Sequence, residues 1–177
     1  MTDLTVRRIR ADEWRAVRAL RLESTSDPDA AIAFLERPDE VAARPDEFWQ
    51  DRAATAAASE IAAQFVAVAD GCWVGSLLVS IRATGQTDHL GRYVDDRRGD
   101  VVGVYVNPAH RGAGAVDRLL DAAAEWAASR GLPRLTLDVH RDNPRAQAAY
   151  RRCGFIPTGE TFSSVIGPEI EMARPLP

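Results

Sequence analysis

A chain of 177 residues fits a single domain at the usual size of roughly 150 residues, and a domain of about that size buries roughly 70% of its unfolded surface, enough for a core without metal or disulfide support. With 46% apolar and 27% charged residues the composition is globular, excluding disordered and collagen-like classes, and no apolar run approaches the ~20 residues that span a bilayer. The formal net charge is −4, from 22 basic and 26 acidic side chains, all the basic ones arginine, which argues against a dedicated nucleic-acid binder. The opening Met1-Thr2-Asp3-Leu4 lacks the basic and apolar stretches of a secretory leader. Two cysteines, Cys72 and Cys153, are too few for a disulfide framework or a conventional zinc site, and as free thiols they suit a reducing cytoplasm.

No repeat or Pro/Gly-rich linker divides residues 1–177, so one domain is expected. Thr5 to Ile9 reads as a weak first strand. Asp12 is placed to cap a helix carrying Trp14, Val17 and Leu20 at helical spacing, and Ser24 to Pro28 reads as its end. A second helix is predicted over Asp46 to Ala58, leaving Asp29 to Pro45 as a substrate-facing loop. Two apolar runs, Ile61 to Ala69 and Trp73 to Ile81, flank Asp70-Gly71, a strong hairpin signal. Arg82 to Gly99 is polar and glycine-bearing and reads as a long exposed connection. A strand from Val101 to Val106 ends at Asn107-Pro108. Val116, Leu119, Leu120, Ala123 and Ala127 then mark an amphipathic helix ending at Gly131. Leu135, Leu137 and Val139 alternate with Thr136, Asp138 and His140 as a strand. Asn143-Pro144 opens a short helix that should stop near Gly154, and strands over Ile156 to Thr161 and Val165 to Ala173 close the chain. The order predicts a mixed α/β sheet with about four flanking helices and one central crossover.

The segment from Val104 through Asn107-Pro108 to Val116 places a two-glycine turn between a strand and a helix. Amides at a helix N-terminus lack intrahelical acceptors, and the helix dipole adds partial positive charge, so an anion is favoured there. Gly112 and Gly114 permit positive φ and close backbone approach, and Arg111 adds a forked donor. The same glycines also serve a plain tight turn. No Gly-Lys-Ser/Thr follows, which excludes a Walker loop, and the three glycines of a dinucleotide fingerprint are missing.

Arg111-Gly112-Ala113-Gly114-Ala115-Val116 resembles the Arg/Gln-x-x-Gly-x-Gly/Ala motif of the GNAT superfamily of acyl-CoA-dependent N-acetyltransferases. Asn143-Pro144-Arg145-Ala146-Gln147-Ala148-Ala149-Tyr150-Arg151-Arg152-Cys153-Gly154-Phe155 resembles its second characteristic block, on the expected element and in the expected order. The resemblance covers Gly99 to Gly159 most strongly. It implies a central sheet with a splayed strand pair. It further implies that the amides of Arg111, Gly112, Ala113, Gly114, Ala115 and Val116 cradle the diphosphate of acetyl-CoA, the co-substrate. The backbone of Val104, Tyr105 and Val106 would accompany the pantetheine arm, and Asn143 would contact the cofactor as well as cap its helix. The family usually has a small residue where this chain has Val116; its side chain either crowds the diphosphate or points into the core. Family members are often dimers, so a homodimer is an expectation of the same kind.

The implied reaction transfers an acetyl group to a primary amine of a small molecule, peptide or protein N-terminus. An alkylamine with pKa near 10 is mostly protonated at pH 7, which costs about 4 kcal/mol to reverse, so a base is needed. Asp138 is the first choice. It lies on the strand face opposite Leu135, Leu137 and Val139, and Leu137-Asp138-Val139 falls where the ribosomal-protein N-terminal acetyltransferase branch carries Leu-Glu-Val. Asp100 is the second choice. His140 shares the face of Asp138, where a solvated histidine is the simpler account. Tyr150 reads from its spacing as a core tyrosine between Ala146 and Cys153, and from the resemblance as the acid toward the coenzyme A sulfur. His89, His110 and His140 show no metal-ligand spacing, and no metal is expected. A catalytically weak acyl-CoA-binding or sensing domain on the same fold is the alternative.

Overall fold

The computed structural model describes residues 4–177. Seven strands form one sheet in the order β1-β2-β3-β4-β5-β7-β6, with β1 Leu4–Arg8, β2 Ala62–Ala69, β3 Cys72–Arg82, β4 Arg98–Val106, β5 Arg134–His140, β6 Ile156–Ser164 and β7 Gly167–Pro175. Five α-helices accompany it: α1 Trp14–Thr25, α2 Pro38–Ala43, α3 Asp46–Ala58, α4 Ala115–Ala128 and α5 Pro144–Arg152. β1 to β4 form an antiparallel meander. The β2–β3 reversal is Asp70-Gly71 with φ of 49° and 78°, the positive pair that matches strand twist in a two-residue hairpin. β4 and β5 run parallel across α4, as the expected crossover requires.

Burial divides the helices between the two faces of the sheet. On α4 the apolar stripe of Ala115, Leu119, Leu120, Ala123 and Ala127 is buried with Leu77, Val79, Leu135, Leu137, Phe155 and Met172. On the other side Val17 of α1, Val41 of α2 and Trp49 and Ala53 of α3 pack with Val66. Among the described residues no helix is long and apolar enough to cross a membrane.

The sheet is closed at one end of β4 and open at the other. β4 and β5 pair only at Gly99↔Leu135 and Asp100↔Thr136. A Cβ on Gly99 would lie 2.7 Å from Leu135 Cδ2, so glycine permits the close approach there. Further along, the β3–β4 register steps from Leu78↔Val102 to Ser76↔Tyr105, setting Gly103 and Val104 against Leu77 alone. Such a bulge bends its strand and sharpens the twist, so β4 turns from β5 and leaves its outer edge unpaired from Val101 to Val106.

Four expectations need correction. Asp12 does not cap α1; it lies in a 3-10 turn, Ala11–Glu13, where the Glu13 carboxylate accepts from the Arg10 amide at 2.8 Å, and Glu13 holds the N-cap position of α1 without a side-chain cap bond. Residues 29–45 are not plain loop but hold a 3-10 turn at Ala30–Ile32 and α2, started by Pro38 at its first position. The 83–97 connection is a loop but not a solvated one. The buried Asp88 accepts from the amides of Leu90 and Arg92, each at 2.9 Å, and Val94 is fully buried. Finally, β6 and β7 reach further than their apolar pattern, turning at Val165-Ile166.

Candidate active site

The gap between β4 and β5 opens into a cavity of about 760 Å³. Val101 to Val106 form one wall and Leu137 to His140 the other, with the start of α4 at one mouth and residues 32–36 across the sheet face.

The cradle at the start of α4 follows from its local sequence. Asn107 Oδ1 accepts from the Ala109 amide at 2.9 Å, and Pro108–His110 forms a 3-10 turn. Gly112 and Gly114 both take φ +81°, Gly114 as the N-cap of α4. A Cβ added to Gly112 would meet nothing within 4 Å, so the space beside it is open. The amides that open α4 therefore lack helical acceptors and have room for an oxyanion. Arg111, Gly112, Gly114, Ala115 and Val116 line the cavity; Ala113 is exposed beside them and can offer only its main chain. Val116 is partly buried, packing against the α4 core cluster while it also lines the cavity. The Arg111 side chain is already engaged: Nε donates to Val106 O at 2.9 Å and Nη2 to Asp27 at 2.7 Å. Asp117 in the first turn is paired with Arg152 at 3.0 Å.

On β4, Val104 and Val106 sit on the main cluster, while Tyr105 turns to the α1 side and donates to Glu23 at 2.9 Å. What β4 offers the cavity is therefore its unpaired backbone edge. On α5, Asn143 Oδ1 accepts from the Ala146 amide at 3.1 Å, a helix cap at the cavity wall. Tyr150 is buried at that wall, 6.2 Å from Phe155 between ring centroids. Burial raises its hydroxyl pKa above the ordinary tyrosine value, keeping it a proton donor at neutral pH.

Asp138 faces the cavity from β5. Burial pushes its pKa up to about 7, against the pull of Arg92 and with help from Glu169 and Glu171. Arg92 Nη2 donates to Asp138 Oδ2 at 2.7 Å while Asp138 Oδ1 is buried without a hydrogen bond. His89 Nε2 stands 4.0 Å away, and burial lowers its pKa, so it is neutral at pH 7. Asp100 lies at the closed end of the strand pair, outside the cavity lining. There it accepts from Arg98 Nε and Thr136 Oγ1, each at 2.8 Å. Asp88, His89 and Asp100 bring ligand atoms within 4.8 Å of one another, yet the two carboxylates are held by Arg92, Arg98 and Arg82, which disfavours a further cation. His140 is buried and its Nδ1 accepts from the Asp142 amide at 3.0 Å, so it is no solvated side chain.

Arg92, His89, Arg52 and Glu169 line or shape this chamber without having been singled out by spacing. For Glu169 a signal existed: it alternates with Ile170 and Met172, and β7 pairs it with His140 on the face of Asp138. For Arg92 none existed, because a long-range contact from a polar loop leaves no periodicity.

A family model described as the acetyltransferase (GNAT) family matches residues 14–155. A mycothiol acetyltransferase of Amycolatopsis mediterranei is 42% identical over 65 residues, 37% of this chain and 22% of that protein, so only a small part of that relative's length is spanned. The crystal structure of an acetyltransferase of the GNAT family from Streptococcus pneumoniae superposes with TM-score 0.79 at 19% identity, covering 99% of this chain and all of that one. A ribosomal-protein alpha-N-acetyltransferase in complex with coenzyme A superposes with TM-score 0.72 at 16% identity, covering 99% and 96%.

Proposed function

Because the chain belongs to the acetyltransferase (GNAT) family of acetyl-CoA-dependent N-acetyltransferases, we propose that it acetylates a primary amine of a small molecule, peptide or protein N-terminus, with the cavity between β4 and β5 as its active site. Acetyl-CoA supplies an acyl thioester; the residues around the cavity do the rest. The opening amides of α4, over Gly112 to Val116, bind the diphosphate, and the free edge of β4 holds the extended arm as a missing strand would. A β4 amide aimed at the thioester oxygen stabilises the charge that develops there, worth several kcal/mol in an enclosed site.

Asp138 accepts the proton of the incoming ammonium. A carboxylate with a pKa of about 7 is half ionised at neutral pH and is a far better proton acceptor than a solvated one. The amine nitrogen then attacks the carbonyl carbon, the carbon–sulfur bond breaks, the Tyr150 hydroxyl gives its proton to the departing sulfur, and the proton that the nitrogen sheds as the amide forms restores the Tyr150 hydroxyl. Direct attack is favoured over an acyl-cysteine. Cys72 is exposed on the β2–β3 hairpin, and burial with the Asp117 carboxylate pushes the Cys153 thiol up to about 12, far from a reactive thiolate.

The observation that carries this reading is the coincidence, in the lining of one cavity, of an unpaired strand edge, free helix-opening amides, the Asp138 carboxyl and the buried Tyr150. The test is a calorimetric titration of coenzyme A followed by acetyl-CoA turnover on an amine panel, with thiol release as the signal. Binding with turnover is expected; binding without turnover on any amine would instead leave an acyl-CoA-binding domain.

A further inference from the structure

The chamber beside Asp138 has charges that the acyl transfer leaves unused, and their signs differ between its two walls. On the helical wall Glu36 is shared by three arginines. Arg21 donates to it from Nε at 2.8 Å and from Nη2 at 2.5 Å, Arg44 pairs with its other oxygen, and Arg52 stands close enough to act on it electrostatically. Arg52, from α3, makes no hydrogen bond or ion pair of its own among the described residues, and its Nε is buried without an acceptor. Burial, with Arg21 and Arg44 nearby, lowers its pKa from the ordinary arginine value against the pull of Glu36, the one carboxylate that three arginines share. Arg21, Glu36 and Arg52 all line the cavity.

The sheet wall has the opposite surplus. Asp138, Glu169 and Glu171 share one face of β5 and β7, because Asp138 pairs with Glu171 and His140 with Glu169. Arg92 serves Asp138 and Arg98 serves Glu171 at 3.3 Å. Glu169, 6% exposed, is paired with no cation among the described residues, and its Oε1 is buried without a partner. A buried polar atom without a partner is costly, and here Arg52 Nε and Glu169 Oε1, a donor and an acceptor, belong to residues that line the same cavity.

We propose that the acceptor is a zwitterion: an amine that also bears a carboxylate, whose ammonium end lies toward Asp138 and Glu169 and whose carboxylate is bound by Arg52. The planar guanidinium matches a carboxylate in two-point fashion, and such charge-assisted pairs are about twice as strong as neutral ones. Bound in this way, the ligand completes both walls at once, and a simple alkylamine completes only one. Arg52 is then the specificity-determining residue of the site; this rests on the acetyltransferase reading above.

The experiment compares kcat/KM for matched acceptors, ω-amino acids against alkylamines of equal length and α-amino acids against their amides, in the parent, Arg52→Gln and Arg52→Lys proteins. In the parent the carboxylate-bearing member should be preferred by at least about tenfold. The preference should fall to near unity in Arg52→Gln and be partly kept in Arg52→Lys, with coenzyme A affinity and melting temperature showing that each variant is folded. Equal rates for both members in the parent, or a preference undiminished in Arg52→Gln, overturns the proposal. If no acceptor is acetylated, the same pairs are titrated into the coenzyme A complex. Tighter binding of the carboxylate member that Arg52→Gln abolishes sustains the subsite while the catalytic reading fails, and equal binding removes the subsite.

Discussion

Asp138 shows how one side chain's chemistry is set by its surroundings rather than its identity. Its partner Arg92 favours the charged form, but burial and the neighbouring Glu169 and Glu171 win, and the carboxyl titrates near pH 7. Two consequences can be measured. Asp138→Asn should lower kcat/KM by about 10²- to 10³-fold above pH 7 and abolish an acidic limb centred near 7; a limb that survives the change would give the base to another group or to water. Stability should respond as well. A carboxyl whose folded pKa is raised stabilises the fold below its unfolded value near 4 and loses that contribution as pH climbs to 7. The stability of Asp138→Asn relative to the parent should therefore rise between pH 4 and pH 8, by on the order of 1–4 kcal/mol in urea titrations. Tyr150 is proposed to act at the other end of the reaction. Tyr150→Phe should depress kcat while coenzyme A affinity changes less than about twofold, and an unchanged kcat would remove it as the acid.

At the scale of elements, each piece of the site depends on a local rule that the sequence states openly or not at all. The strand–turn–helix from Val104 to Val116 was legible because glycine spacing, the Asn107-Pro108 turn and the apolar stripe of α4 are all short-range signals. Asn143 as a helix cap was legible for the same reason. The folded-in loop 83–97 was not: its polar composition predicts exposure, and only the tertiary fold supplies the partners that bury Asp88 and Val94. Asp88 is the pin of this loop, accepting from two amides and from Arg92 Nε at 2.7 Å. Asp88→Ala should destabilise the protein by about 2–4 kcal/mol. It should also free Arg92 from its position, so that hydrogen exchange of residues 83–97 quickens more than that of β2 or α4. Uniform exchange across the chain would mean that the loop is held by other contacts. At the cradle, Gly114→Val forces a β-branched residue into φ +81°. Its coenzyme A affinity should fall by at least about tenfold, with a loss of about 1–3 kcal/mol in stability.

Across the whole molecule, the site exists because a sheet that is continuous on both flanks is interrupted at one place. Gly99 and Asp100 close β4 against β5, the Gly103–Val104 bulge turns β4 away, and the cleft between the two strands is what remains. The mixed α/β class, the crossover and the family were readable from the order of elements and two motifs. The two charged walls were not, since they join α1, α3, β5 and β7 across more than a hundred residues of sequence. The proposed reaction requires above all that the main-chain amides from Gly112 to Val116 grip the diphosphate of the acyl carrier. A crystal structure of the coenzyme A complex tests it most directly. It should show diphosphate oxygens at about 2.8–3.1 Å from these amides with the arm lying along β4; a diphosphate seated anywhere else, with those amides facing only water, would contradict it.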